Sequence, residues 1–213
     1  MTCVICETRR PKRDCPGVRG AICTVCCGKE REVTVDCPLD CEYLRDARQR
    51  EKPAGADPKD FPNQDIKVSE RFLRENETLL VLLGKGVVES ALSTPGMVDS
   101  DVREGLDGLI RTYRTLQSGL IYESRPANPL AGQIYTDLQA LIAVKRQSED
   151  EQGGVSRTRD ASVLGVLAFL QRLELDRNNG RRRGRAFIDF LRGQFPASEG
   201  STRPDAGAPL IVT

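Results

Sequence analysis

The chain has 213 residues, with 32 lysines and arginines against 31 acids and no histidine, a net charge of +1. That length suits one medium domain, or a small module joined to a domain of about 150 residues. The balanced charge gives no global attraction to nucleic acid or anionic membrane, and 5% aromatics without tryptophan argue against large stacking platforms.

The first residues, MTCVICETRR, lack the basic start and apolar stretch of a signal peptide. The longest apolar run, VLGVLAFL at 163–170, is far short of the ~20 residues that cross a bilayer. The expectation is a soluble cytoplasmic protein whose thiols stay reduced.

All eight cysteines fall within the first 41 residues: Cys3, Cys6, Cys15, Cys23, Cys26, Cys27, Cys37 and Cys41. A disulfide framework fits the even number but not a reducing compartment. A nucleophilic or redox thiol usually has a histidine or another base beside it, and the chain has no histidine. Zinc accounts for the pattern best. Four thiolates give a soft, charged tetrahedron, and a CxxC turn places two of them on one ion.

Cys3-Val-Ile-Cys6 and Cys23-Thr-Val-Cys26 are two such knuckles in zinc-ribbon order. Adjacent Cys26 and Cys27 point apart, so they should serve different ions. The expectation is two structural zinc ions, one on Cys3, Cys6, Cys23 and Cys26 and one on Cys15, Cys27, Cys37 and Cys41. Gly28 suits a knuckle turn at positive φ. REVTV, 31–35, alternates like a short strand. PLDCEYLRDARQREK reads as a helix with Cys41 in its first turn. Knuckle, hairpin and helix describe a treble-clef or ribbon-like module over 1–50. A unit that small depends on metal for stability, and a closed four-thiolate site leaves no position for a reacting water.

EKPAGADPKDFPNQD, 51–65, is rich in proline and small polar residues and reads as a linker, with Phe61 placed to pin its far end. From 66 the apolar period becomes helical. Phe72, Leu73, Leu79, Leu80, Leu83, Val87 and Ala91 share a face, and TPG at 94–96 stops that helix. Val102, Leu106, Leu109, Tyr113, Leu116 and Leu120 form a second seam, with Asp99 or Ser100 as cap. Asn128-Pro129 starts a third helix. After a polar loop at 149–159, Asp160 caps a fourth, apolar all round from 163 to 170 and so expected at the centre. NNG at 178–180 ends it, and RAFIDFLRGQF closes an all-α bundle of about five helices over 66–195. The tail 196–213 is expected to be disordered.

Charge concentrates in two loops. Residues 171–195 carry seven arginines against three acids, and NNGRRRGR holds Arg181, Arg182, Arg183 and Arg185. ETRRPKRDCPGVRG, 7–20, carries Arg9, Arg10, Lys12, Arg13 and Arg19 against Glu7 and Asp14. Guanidinium forks suit phosphates. The plainer reading of the first loop is an interhelical turn paired with acids on neighbouring helices. Gly84-Lys85-Gly86 lacks the context of a phosphate loop and reads as a close helix approach. Glu149, Asp150 and Glu151 read as a solvated run.

Cys23-Thr-Val-Cys26-Cys27-Gly28-Lys29-Glu30-Arg31-Glu32 and Asp36-Cys37-Pro38-Leu39-Asp40-Cys41-Glu42-Tyr43-Leu44, with FLQRLELDRNNGRRRGRAFIDFLR further on, resemble uncharacterised bacterial proteins that join such a cysteine module to a helical domain. The cysteine part is also loosely similar to treble-clef fingers of the HIT type, although its spacings differ and their histidine is missing. The resemblance implies a zinc-binding protein and brings no activity with it. The expected function is a non-enzymatic adaptor in which zinc module and bundle each recognise a protein partner. The alternative is a nucleic-acid-binding regulator using Arg9, Arg10, Lys12 and Arg13 with Arg181, Arg182, Arg183 and Arg185. That alternative requires the two loops to share one face.

Overall fold

The structure is a computed structural model that describes residues 2–51, 55–151 and 158–195. The tail 196–213 and the middle of the polar loop, 152–157, lie outside the described residues. The architecture is mostly helical with one small two-stranded sheet.

In the cysteine region, β1 (Arg13–Cys15) pairs antiparallel with β2 (Gly20–Ile22), with Cys15 opposite Gly20. The first knuckle lies along this hairpin, since the Val4 N–H donates to the Ala21 carbonyl at 3.1 Å. Helix α1 (Thr24–Glu30) follows directly, capped by the Cys23 sulfur, and α2 (Glu42–Arg48) starts at Cys41. Glu42 in the first turn of α2 and Arg45 and Arg48 in its last both favour the helix dipole. The core here is small: Ile22, Val35 and Leu44 close around the sulfurs.

Two local expectations fail. Gly28 lies inside α1, with no need for positive φ and open space where a Cβ would stand. Residues 31–35 do not form a strand. The N–H groups of Val33, Thr34 and Val35 all turn onto the Glu30 carbonyl, and only Arg31 and Val35 meet in a single bridge. Alternation in this stretch buries Val35 and exposes Val33 without any neighbouring strand to pair with.

A short 3-10 turn, Pro58–Asp60, precedes the bundle. Asn63 ties this segment down. It donates to Gln171 Oε1 at 2.8 Å and accepts from Arg114 at 2.9 Å, and its carbonyl accepts from Arg172 at 2.6 Å. The bundle comprises α3 (Glu70–Glu75), α4 (Glu77–Ser93), α5 (Asp99–Gln117), α6 (Pro129–Glu151), α7 (Asp160–Arg177) and α8 (Ala186–Gln194). The first expected helix is split at Asn76, whose backbone leaves the helical region and whose side chain bonds back to the Phe72 carbonyl at 2.9 Å.

Helix α7 runs through the middle. Val163, Leu164, Val166, Leu167, Ala168 and Leu170 are all buried, and α5 packs along it while α4 and α8 close the sides. The α5 seam holds at Val102, Leu106, Leu109 and Tyr113 but stops before Leu120, which is exposed. The helix ends at Gln117, and Gly119 turns the chain at φ +78°. Asn128 starts α6 as its sequence suggests, accepting from the Leu130 N–H at 3.0 Å. Gly84 and Gly86 are close approaches: a Cβ at the first would meet the Phe195 ring, and at the second Leu138 and Leu141. No described helix is long and apolar enough to cross a membrane.

Candidate metal centre

The first knuckle, the hairpin and the start of α1 bring Cys3, Cys6, Cys23 and Cys26 together, with all four sulfurs within 4.8 Å of one another. Tetrahedral zinc with ~2.3 Å bonds to sulfur sets its ligands about 3.8 Å apart, so a small contraction closes this cage on an ion. Cys3, Cys23 and Cys26 are buried, Cys6 is half-buried, and all eight cysteines are unbridged.

Electrostatics explain why such a cage wants a cation. Burial alone would raise the Cys3 thiol, but backbone N–H groups of Cys6, Cys23 and Ile5 outweigh it and bring its pKa to about 6. The backbone of Arg9 and Thr8 lowers Cys6 as well. Cys26 goes the other way, to about 12, because of burial and then its hydrogen-bonded neighbours Cys23, Cys6 and Cys3. Thiols this close cannot all be ionised unless a positive charge sits among them. The Cys26 N–H reaching Cys23 Sγ at 3.4 Å adds a knuckle-type N–H···S bond. Arg9, held charged by its bond to Cys23 and the charge of Cys6, stands beside the cage.

The second expected set is gathered but not drawn together in the same way. Cys15, Cys27 and Cys37 are buried in the same small core and Cys41 lies at its edge. Cys26 and Cys27 do point apart: Cys27 Sγ accepts from Arg13 Nη1 at 3.1 Å. Burial first, and then the charges of Glu32, Cys15 and Cys41, push Cys37 up to about 11 against an opposing backbone hydrogen bond at Glu32. Among the described residues, no second group of three or more possible ligands meets as closely as the first.

The charged loops are largely spent on internal partners. Arg13 also stacks over the Tyr43 ring at 4.5 Å. Arg181 donates to the Arg31 carbonyl at 2.7 Å and pairs with Glu51 at 3.1 Å. Arg183 and Arg185 both pair with Asp36, at 3.4 and 3.3 Å. Arg182 is exposed, as are Arg9, Arg10 and Lys12.

Sequence reasoning missed Glu32, which is 1% exposed although it stands in the turn between Cys27 and Cys37. It accepts from Arg48 at 2.6 Å, from Asn179 at 2.8 Å and from the Arg185 N–H at 3.0 Å. Arg48 also bonds Asp189 on α8. Nothing local marks this glutamate out, because two of its partners, Asn179 and Arg185, come from more than 140 residues away. No protein-family model, no curated protein and no solved structure matches the chain.

Proposed function

We propose that this is a zinc-binding interaction protein, in which a metal-built treble-clef-like module and a helical bundle together present a surface to a protein partner. The sulfur cage of Cys3, Cys6, Cys23 and Cys26 carries the reading. The order around it (knuckle, hairpin, then a helix whose first turn brings two more sulfurs) suits that type of finger. Tetrahedral all-sulfur sites take zinc or iron. An all-thiolate site fills its coordination sphere with protein ligands, which fits a structural metal better than a catalytic one. Cys15, Cys27, Cys37 and Cys41 would hold a second ion once metal draws their sulfurs in.

Native mass spectrometry with elemental analysis of the reduced protein tests this. About two zinc per chain are expected. One zinc, lost in Cys3→Ser but kept in Cys37→Ser, would remove the second site. No metal in folded protein would overturn the reading, and visible thiolate-to-iron absorption would replace zinc by iron. Nucleic-acid binding has less to draw on, since Arg13, Arg181, Arg183 and Arg185 have internal partners. It would rest on Arg10, Lys12 and Arg182, since Arg9 is bonded to Cys23 beside the cage. A gel shift at low salt that is abolished by moderate salt would support it.

A further inference from the structure

The turn between Cys27 and Cys37 is gripped by the bundle. The Arg183 N–H donates to the Glu32 carbonyl at 2.8 Å, and the Arg185 N–H and Asn179 side chain donate to its carboxylate at 3.0 and 2.8 Å. Arg181 holds the Arg31 carbonyl, and Arg183 and Arg185 flank Asp36. Three residues further on, Leu39 is buried in the apolar cluster of the bundle rather than that of the cysteine region. Arg185 stands at the residue before α8, and its N–H is the last of these contacts with Glu32.

We propose that metal binding by the cysteine module is the latch that holds the 178–185 loop in place. Loss of the metal releases it while α4–α7 stay folded. This rests on the reading that Cys3, Cys6, Cys23 and Cys26 hold a metal.

The coupling follows from how Glu32 is positioned. Its backbone is left-handed, at φ +53°, a strained state for a glutamate that persists only where its surroundings fix it. On the module side, those surroundings are the end of α1, which begins at the ligand Cys23, and the burial of Val35 among the sulfurs. A core of that size does not hold a shape without its ion. When the ion leaves, the turn loses its form, so that the Glu32 carbonyl no longer meets the Arg183 N–H and its carboxylate no longer meets the Arg185 N–H and Asn179. The 178–185 loop has few apolar anchors of its own. Helices α4–α7 have a separate core around Leu83, Leu109, Ile134 and Leu167.

Hydrogen–deuterium exchange on the full-length reduced protein, zinc-loaded and after zinc removal by a chelator, tests the latch. Residues 178–185, Arg183 and Arg185 above all, should exchange on the order of tenfold faster without zinc, with α4–α7 unchanged and with protection restored by added zinc. Unchanged exchange at 178–185 after verified removal would overturn the proposal, and so would equal loss of protection across α4–α7. Glu32→Gln is the second arm. It should keep full zinc stoichiometry yet exchange faster at 178–185, whereas wild-type protection there, or loss of zinc, would count against the latch. A chain that binds no zinc would instead remove the metal reading itself.

Discussion

Gly165 lies on α7 under the ring of Phe72, and a Cβ there would meet three ring carbons. A rigid aromatic cannot swing aside as the end of a leucine can, so Gly165→Ala should cost about 1–3 kcal/mol despite the better helix propensity of alanine. Gly193 on α8 faces open space, and Gly193→Ala should be neutral or gain up to about 1 kcal/mol. Urea unfolding of the two variants checks the pair, and equal losses would refute it. Glu174 makes a different residue-scale case. It is fully buried, and its nearest charge partner is Arg103 at 3.3 Å. Burial lifts its pKa to about 8, with Arg103 opposing and Asp99 adding to the rise. The unfolded chain gives up this proton near 4.5, so between there and about 8 the folded chain holds a proton that the unfolded one has lost. Stability conferred by protonation is therefore full at the acid end and declines as pH rises through that window. Glu174→Gln should make the fall in stability from pH 6.5 to 8.5 shallower, and an unchanged slope would rule the effect out. None of these three residues stands out in the sequence. A glycine in a helix can signal a close neighbour, as Gly84-Lys85-Gly86 does, but it cannot say whether one is there.

Helix α8 is capped from a distance. Asp99, the first residue of α5, accepts from the Phe187 N–H at 2.9 Å and from the Ile188 N–H at 3.1 Å. Sequence pattern makes this aspartate a cap for its own helix, where Asp101 in fact bonds back to the Val98 N–H at 3.0 Å. Burial, partly offset by those two amides, raises Asp99 to about 7. Asp99→Ala should cost about 1–2 kcal/mol and loosen the first turn of α8, whereas Asp99→Asn, which keeps one acceptor, should lose less. Amide exchange at 187–188 distinguishes the two, and protection unchanged in Asp99→Ala would show that the cap does not matter. Elements of this length were readable where periodicity and local caps agree. The helices at 99–117, 129–151 and 160–177 follow from spaced apolar residues, from Asn128-Pro129 and from the wholly apolar stretch of α7. The cage was readable too, because CxxC spacing is a local constraint that survives whatever surrounds it. What failed depended on distant partners. The turn at 31–35 looks like a strand until Glu32 is seen to be held by the 178–185 loop, and Glu149 looks solvated until Thr158 donates to it twice, at 2.9 Å each.

At the scale of the whole molecule, a net charge of +1 conceals an uneven distribution, because the arginine-rich stretch 171–195 faces acids of the cysteine region. The contacts between them differ in kind. Arg192 pairs with Asp40 at 3.1 Å, but the Asp40 side chain is 87% exposed, so solvent and salt screen the pair. Glu32 is sealed in with Arg48, Asn179 and the Arg185 amide, and Arg48 carries the connection on to Asp189. Removing a buried partner leaves the others desolvated and unmatched, which costs far more than losing a surface pair. Glu32→Ala should therefore destabilise the protein by about 3 kcal/mol or more. Asp40→Ala should cost less than about 1 kcal/mol and should cost nothing measurable once salt is added. Equilibrium urea unfolding at low and at 1 M salt tests both variants on one scale. If the loss in Glu32→Ala shrank with salt as the Asp40→Ala loss does, the two halves would be joined by surface charge rather than by a buried carboxylate.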